Sequence, residues 1–316
     1  AEILILDEPT AVLTPQEIEE LFSVMRKLKE DNKTIIFITH KLKETLHISD
    51  RVTVLRDGKK INTVETQNTD SNELARMMVG RDVVLRVEKE PREPKNDIFS
   101  VKNMDLYNKE SKVNLQNINF SIEKGEIVGV AGVEGNGQLE LEEGIMGLME
   151  IEDGQIYLEN EEITKLNVRE KRNRGIGYIP SDRIKRGLIL DFNIEKNLII
   201  GSEWNSKFNK NGFLINKNIE EYSKKIINKY DIKTPGSKAK VSSLSGGNQQ
   251  KLILGREFSR DPKFIIAAQP TRGVDVGAKE FIHNIILDMR KENKGILLIS
   301  TELDELLNLT DRLIVL

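Results

Sequence analysis

Two hydrophobic rhythms alternate along this chain. Residues 2 to 6, Thr34 to Ile38 and Arg51 to Leu55 are short continuous runs that predict strands, the first two buried and parallel. Between the first two, Thr14 stands as an N-cap before Pro15, with Glu17 near the third helical position. Ile18, Leu21, Phe22, Met25 and Leu28 follow at helical spacing, which predicts a helix to about Glu30. Leu42 to Ile48 reads as a short helix, and Asp57-Gly58 as a hairpin turn into a strand from Lys59 to Val64. Leu74 to Val79 ends another helix. Further on, Ile98 to Leu106, Val113 to Ile122, Glu126 to Ala131, Gly154 to Leu158 and Gly175 to Ile179 predict strands. From Asp191 to Ser243 the pattern turns polar and helical, with Ile226, Ile227 and Tyr230 spaced for a partly buried helix; an inserted helical subdomain is expected over about residues 185–250. Leu252, Ile253, Leu254 and Phe258 open one more helix.

The pattern repeats. A shift of 261 residues lays Leu6-Asp-Glu-Pro-Thr10 on Ala267-Ala-Gln-Pro-Thr271 and Asp50-Arg51 on Asp311-Arg312, without a gap. So long a period implies a duplicated domain, not a solenoid. The expected organisation is the C-terminal part of a first copy in residues 1–80, a charged linker with two prolines over 81–97, and a second copy over 98–316. The chain starts inside an apparent strand and without methionine, so it reads as a fragment with its first copy truncated.

Composition narrows the class. Hydrophobic residues make up 38% and charged residues 31%, with no apolar run approaching the roughly 18 residues of a membrane span. A net charge of -3 gives no general electrostatic reason to bind nucleic acid. No cysteine is present, which excludes disulfides and thiolate metal sites. The first residues carry no basic region or cleavage pattern of a signal peptide.

Candidate chemistry lies in loops after the strands. Gly132-Val-Glu-Gly-Asn-Gly-Gln-Leu139 follows a strand and precedes a helix, the order a phosphate loop needs. It keeps the spacing GxxxxGK[ST], but Gln138 stands at the lysine position and Leu139 at the hydroxyl position. Glutamine brings no charge and leucine no oxygen for Mg²⁺; losing one charge-assisted contact costs roughly 1.5–3 kcal/mol. At Leu244-Ser-Gly-Gly-Asn-Gln-Gln-Lys251, two glycines and a serine crowd one helix N-terminus, which serves equally as an ordinary cap or an anion site. Tyr107, near a strand end, is a candidate for stacking on a base or for plain packing. His47 and His283 read as structural.

LSGGNQQK resembles the signature sequence of ATP-binding-cassette (ABC) ATPases, and Leu6-Asp-Glu-Pro-Thr10 resembles their Walker B motif. With PTRGVDVGA (Pro270 to Ala278) and GVEGNGQ, the resemblance covers essentially the whole chain. It looks like the ATPase subunit of bacterial importers for simple sugars and nucleosides, with two fused cassettes, and closer to the nucleoside branch. The implied fold is α/β, a P-loop NTPase cassette with a RecA-like parallel sheet, an antiparallel β subdomain and a helical subdomain. The implied cofactors are ATP and Mg²⁺. Asp7 would hold the metal, Glu8 would accept the proton of the attacking water, and His40 would contact the γ-phosphate. Ser245, Gly246, Gly247 and Gln249 would meet ATP held by the opposite cassette, head to tail. Gly132, Gly135, Gly137 and Gln138 would form a weak second nucleotide site, where Ala268, Gln269 and Thr301 replace the aspartate, the base and the histidine. Ser181 stands where that family usually has glutamine. Implied partners are membrane permease subunits, and indirectly a substrate-binding lipoprotein, at the cytoplasmic face of the cell membrane; no nucleic acid is implied. A non-transport tandem ATPase acting on ribosomes or DNA, and an inactive nucleotide-binding fragment, are the alternatives.

Overall fold

The computed structural model describes residues 1–10, 13–82, 89–93 and 95–316, with only the backbone of Pro15. They fall into two compact units: the described residues within 1–86 together with 275–280, and those within 87–274 together with 281–316.

The first unit runs β1 (Ile3–Asp7), α1 (Pro15–Glu30), β2 (Thr34–Ile38), α2 (Leu42–Ile48), β3 (Arg51–Arg56), β4 (Lys59–Glu65) and α3 (Ser71–Val79). β1 and β2 pair in parallel, from Ile3 opposite Thr34 to Asp7 opposite Ile38. The α1 start is a complete capping box: the Glu17 N–H donates to the Thr14 hydroxyl, and Thr14 N–H donates to the Glu17 carboxylate at 2.8 Å. Asp57 (φ 52°) and Gly58 (φ 71°) are both left-handed, so the expected hairpin turns as a two-residue loop whose twist matches its strands. One expectation fails. β1 and β2 are not buried, because among the described residues their sheet has two strands and nothing covers one of its faces; Ile3, Ile5, Ile36 and Ile38 are 59%, 63%, 47% and 47% exposed.

The second unit opens with β5 (Asp97–Tyr107), β6 (Asn114–Glu123) and β7 (Ile127–Ala131), then α4 (Gln138–Met146), β8 (Asp153–Leu158), β9 (Glu161–Glu162), α5 (Val168–Arg174) and β10 (Ile176–Ile179). It continues with α6 (Ile194–Ile199), β11 (Asn209–Lys210), β12 (Phe213–Leu214), α7 (Asn216–Lys229) and α8 (Gly246–Phe258). The remainder is β13 (Phe264–Ala268), α9 (Val276–Lys291, of which residues 276–280 group with the first unit), β14 (Gly295–Ile299), α10 (Leu303–Leu309) and β15 (Arg312–Val315). A parallel sheet has the order β10-β13-β14-β7-β15, and an antiparallel sheet the order β6-β5-β8-β9. The two layers and α4 share one core. Phe99 of β5 stacks on Phe264 of β13 at 3.9 Å with the rings 5° apart, among Met104, Leu141, Ile145, Ile266 and Leu297. Every residue of β13 and β14 is buried, which explains why both read as continuous apolar runs.

The helical subdomain expected over about residues 185–250 also contains the β11–β12 hairpin, turned by left-handed Asn211 (φ 52°) and Gly212 (φ 86°), and α8 runs to Phe258. Asn-Gly is a strong hairpin signal that the helical pattern masked. Of the expected linker, residues 83–88 and 94 lie outside the described residues. Its last part is tied to the second unit: Arg92 bonds Glu123 at 2.7 Å, Lys95 N–H bonds the same carboxylate at 2.6 Å, and Arg290 donates to the Glu90 carbonyl at 3.2 Å.

The elements obey the 261-residue shift as the sequence does. β1, α1, β2 and α2 fall on β13, α9, β14 and α10 with identical bounds. A hydrogen bond repeats too: Thr10 donates to Glu44 at 2.6 Å, and Thr271 donates to Glu305 at 2.7 Å.

Removing the inter-layer ring contact should be costly. Phe99→Ala is expected to lower the stability of the second unit by about 3–5 kcal/mol, read as a shift in its urea midpoint.

Candidate functional site

β7 is apolar throughout, so its chain can turn polar only at its end, where Ala131 gives way to the glycine loop. Gly135 (φ 97°) and Gly137 (φ 108°) hold left-handed conformations that a side chain would strain, and a Cβ on Gly137 would lie 2.5 Å from Leu115. Gly137 is also the N-cap of α4 and supplies no side-chain oxygen, so the first N–H groups of that helix remain available to an anion. They open on a cavity of about 820 Å³, lined by the loop, by Ser181 to Arg186, and by Gln250, Gln269, Arg272 and Thr301.

Gly132, Gly135, Gly137 and Gln138 thus come together as expected. Gln138 lies across its own loop: its amide donates to the Val133 carbonyl at 3.0 Å, and a Cβ on Gly132 would meet Nε2 at 2.4 Å. Leu139 is 41% exposed and Ala268 is buried; neither side chain carries an oxygen. Tyr107 is exposed and does not line the cavity.

At the start of α8, Ser245 is the N-cap. Its oxygen accepts from Asn248 N–H at 3.5 Å and from Asn248 Nδ2 at 2.9 Å, while its own hydroxyl proton is left to give. Ser245 is exposed and Gly246 half-buried, with Gly247 buried behind them. Gln249 requires correction as a ligand contact. It is 8% exposed, and its amide donates inward to the Val241 and Leu244 carbonyls at 3.3 Å each, tying the helix start to the turn before it. Arg183, unremarked in the sequence, donates to the Arg272 carbonyl at 2.7 Å, and its guanidinium leaves no room for a Cβ on Gly246.

In the first unit, Asp7 ends β1 exposed, and Glu8 follows with φ 46°. A left-handed non-glycine residue is strained, and such strain collects where a side chain must be aimed. The aim here is His40, whose Nδ1 lies 2.8 Å from Glu8 Oε1; Glu8 Oε2 is buried without a partner. The equivalent pair in the second unit keeps the geometry and loses the chemistry. Gln269 also has φ 46°, and its Oε1 accepts from the Thr301 hydroxyl at 3.3 Å. His283, as expected, is structural: it is buried against Glu305 at 2.9 Å. So is His47, whose ring lies 5.6 Å from Phe22.

Glu142 was missed. On α4 it is 0% exposed, lines the cavity, and accepts from the Ser181 hydroxyl at 2.6 Å. The readable signal was three glutamates, 140, 142 and 143, in a helix that is otherwise almost entirely buried.

Comparisons with known proteins agree with this geometry. The family model described as ABC transporter matches residues 115–272. A guanosine import ATP-binding protein of Bacillus subtilis is 45% identical over 315 residues, and a nucleoside import ATP-binding protein of Lactococcus lactis 42% identical over 315. A galactose/methyl galactoside import ATP-binding protein of Pasteurella multocida is 38% identical. These matches cover 100% of this chain and 62% of each relative, so the chain spans less than two thirds of their length. Among solved structures, a nucleotide-free ATP-binding cassette from an ABC transporter superposes with a TM-score of 0.58 at 26% identity, over 70% of this chain and 88% of the cassette. With its glycine loop, signature helix and paired sheets in that arrangement, the chain belongs to the ABC transporter family and has the fold of its ATP-binding cassettes.

Proposed function

We propose that this chain is part of the ATP-hydrolysing subunit of an importer for nucleosides or simple sugars, built from two cassettes. The observation that carries this reading is the Glu8–His40 pair at the end of β1, set against the inert Gln269–Thr301 pair at the same place in the repeat. Residues 1–80 are then the end of a first cassette and 98–316 a second. In this reading the signature of one cassette completes the ATP site of another. Ser245, Gly246 and Gly247 would face a nucleotide served by Asp7, Glu8 and His40, with its phosphate loop outside these 316 residues. Glu8 has one carboxylate oxygen engaged by His40 and one without a partner, which suits a base that must be oriented and still accept a proton. Asp7, a hard oxygen donor beside it, suits Mg²⁺, which would neutralise charge developing on the phosphates.

The cavity of the second unit is read as a nucleotide site without turnover. Its glycine loop and the α4 N-terminus suit phosphates, but Gln269 cannot take a proton as a carboxylate does. Among the described residues no helix is long and apolar enough to cross a membrane. The proposed partners are permease subunits in the membrane, with a substrate-binding lipoprotein feeding them.

Two experiments test these assignments. In a protein carrying the complete first cassette, Glu8→Gln should lower phosphate release at least about a hundredfold and leave ATP binding in place; unchanged turnover would remove Glu8 from the mechanism. In the 316-residue chain, Gly137→Ala should weaken binding of a fluorescent ATP analogue about tenfold or more, with the circular dichroism unaltered.

A further inference from the structure

The cavity holds a carboxyl that the phosphate-binding geometry does not use. Glu142 lies one helical turn beyond Gln138. Its Oε1 accepts from Ser181, while Oε2 is buried and meets no donor. The neighbouring Tyr178 hydroxyl of β10 and Gln250 Nε2 of α8 are likewise buried without partners. The other groups facing Glu142 are Glu143 on its own helix and Arg186 from the turn after β10, which pair with each other. Burial pushes the Glu142 carboxyl up to about 7, opposed by the Ser181 bonds and reinforced by the Glu143 charge.

The rest of the lining decides what a proton on Glu142 does. Glu134, Glu140 and Asp182 stand against Arg183, Lys185, Arg186 and Arg272. With Glu142 neutral the lining is net positive; with Glu142 ionised it is balanced. Leu139 and Ala268 give a divalent cation nothing to hold, so no metal charge stands between this carboxyl and an incoming phosphate.

We propose that Glu142 sets the form of ligand this cavity accepts: a nucleotide polyphosphate without a divalent cation, bound while Glu142 carries its proton. The inference rests on the reading of the cavity as a nucleotide site. Binding favours the protonated carboxyl, so affinity is highest at low pH and falls as rising pH removes the proton.

The test is equilibrium binding of ATP to the 316-residue chain, with EDTA and with Mg²⁺, between about pH 6 and about pH 8. Affinity should be the same with and without the metal and about tenfold weaker at the upper pH. Glu142→Gln should bind at the low-pH affinity throughout. Ser181→Ala removes a donor that favours the ionised form, so it should move the midpoint of the profile upward. Affinity independent of pH in the native chain, a requirement for Mg²⁺, or an unchanged profile in Glu142→Gln would overturn the inference and leave the nucleotide reading standing. If Glu142→Gln does not fold, an unmoved midpoint in Ser181→Ala overturns it alone. Absence of ATP binding at every pH would remove the nucleotide reading, and this inference with it.

Discussion

A parallel strand covered on both faces has no room for a polar side chain until it ends. In the second unit this holds for β7, β10, β13 and β14, all apolar over nearly their whole length. Many polar groups of the cavity therefore gather just beyond a carboxyl end: the glycine loop after β7, Ser181 after β10, Gln269 after β13 and Thr301 after β14. The site is where it is because the core leaves it no other place. In the first unit Glu8 and His40 hold the corresponding places, one and two residues beyond β1 and β2, although those strands are covered on one face only.

Scaffold and chemistry separate cleanly between the repeats. The left-handed turn at Glu8 and Gln269, the Thr10–Glu44 and Thr271–Glu305 bonds, and the matching strand bounds are shared. What differs is which atoms are carried to the end of the strand. A carboxylate facing an imidazole can move a proton; an amide facing a hydroxyl holds the same shape and cannot. Left-handed backbone at a non-glycine residue is a cost of order 1–3 kcal/mol, and both repeats bear it.

Much of this was legible in the sequence, and the omissions have physical causes. Continuous apolar runs located the strands of the sheet, and Thr14, Pro15 and Glu17 located a helix start, because these signals are local. The loop glycines declared themselves by spacing, and Glu8 through the resemblance of Leu6 to Thr10 to a Walker B motif. Gln249 did not, since whether an amide turns outward to a ligand or inward to the Val241 and Leu244 carbonyls depends on a turn formed by residues before it. Glu142 was hidden for the same reason. Its partner Ser181 is 39 residues away, and only folding sets the two 2.6 Å apart. Lys95 and Arg92 looked like solvated linker charges until Glu123 was placed beside them.

The bare face of β1 and β2 has its counterpart in the second unit. There, at the shifted positions, Phe264, Ile266 and Leu297 lie under the antiparallel sheet and α4. Ile3, Ile5 and Ile36 carry the same apolar surface into water. The two-strand ribbon also leaves one backbone edge of each strand unpaired among the described residues, which is a template for strand addition. The same apolar pattern is therefore interior or surface according to whether a layer covers it, a property of the neighbours and not of the strands themselves.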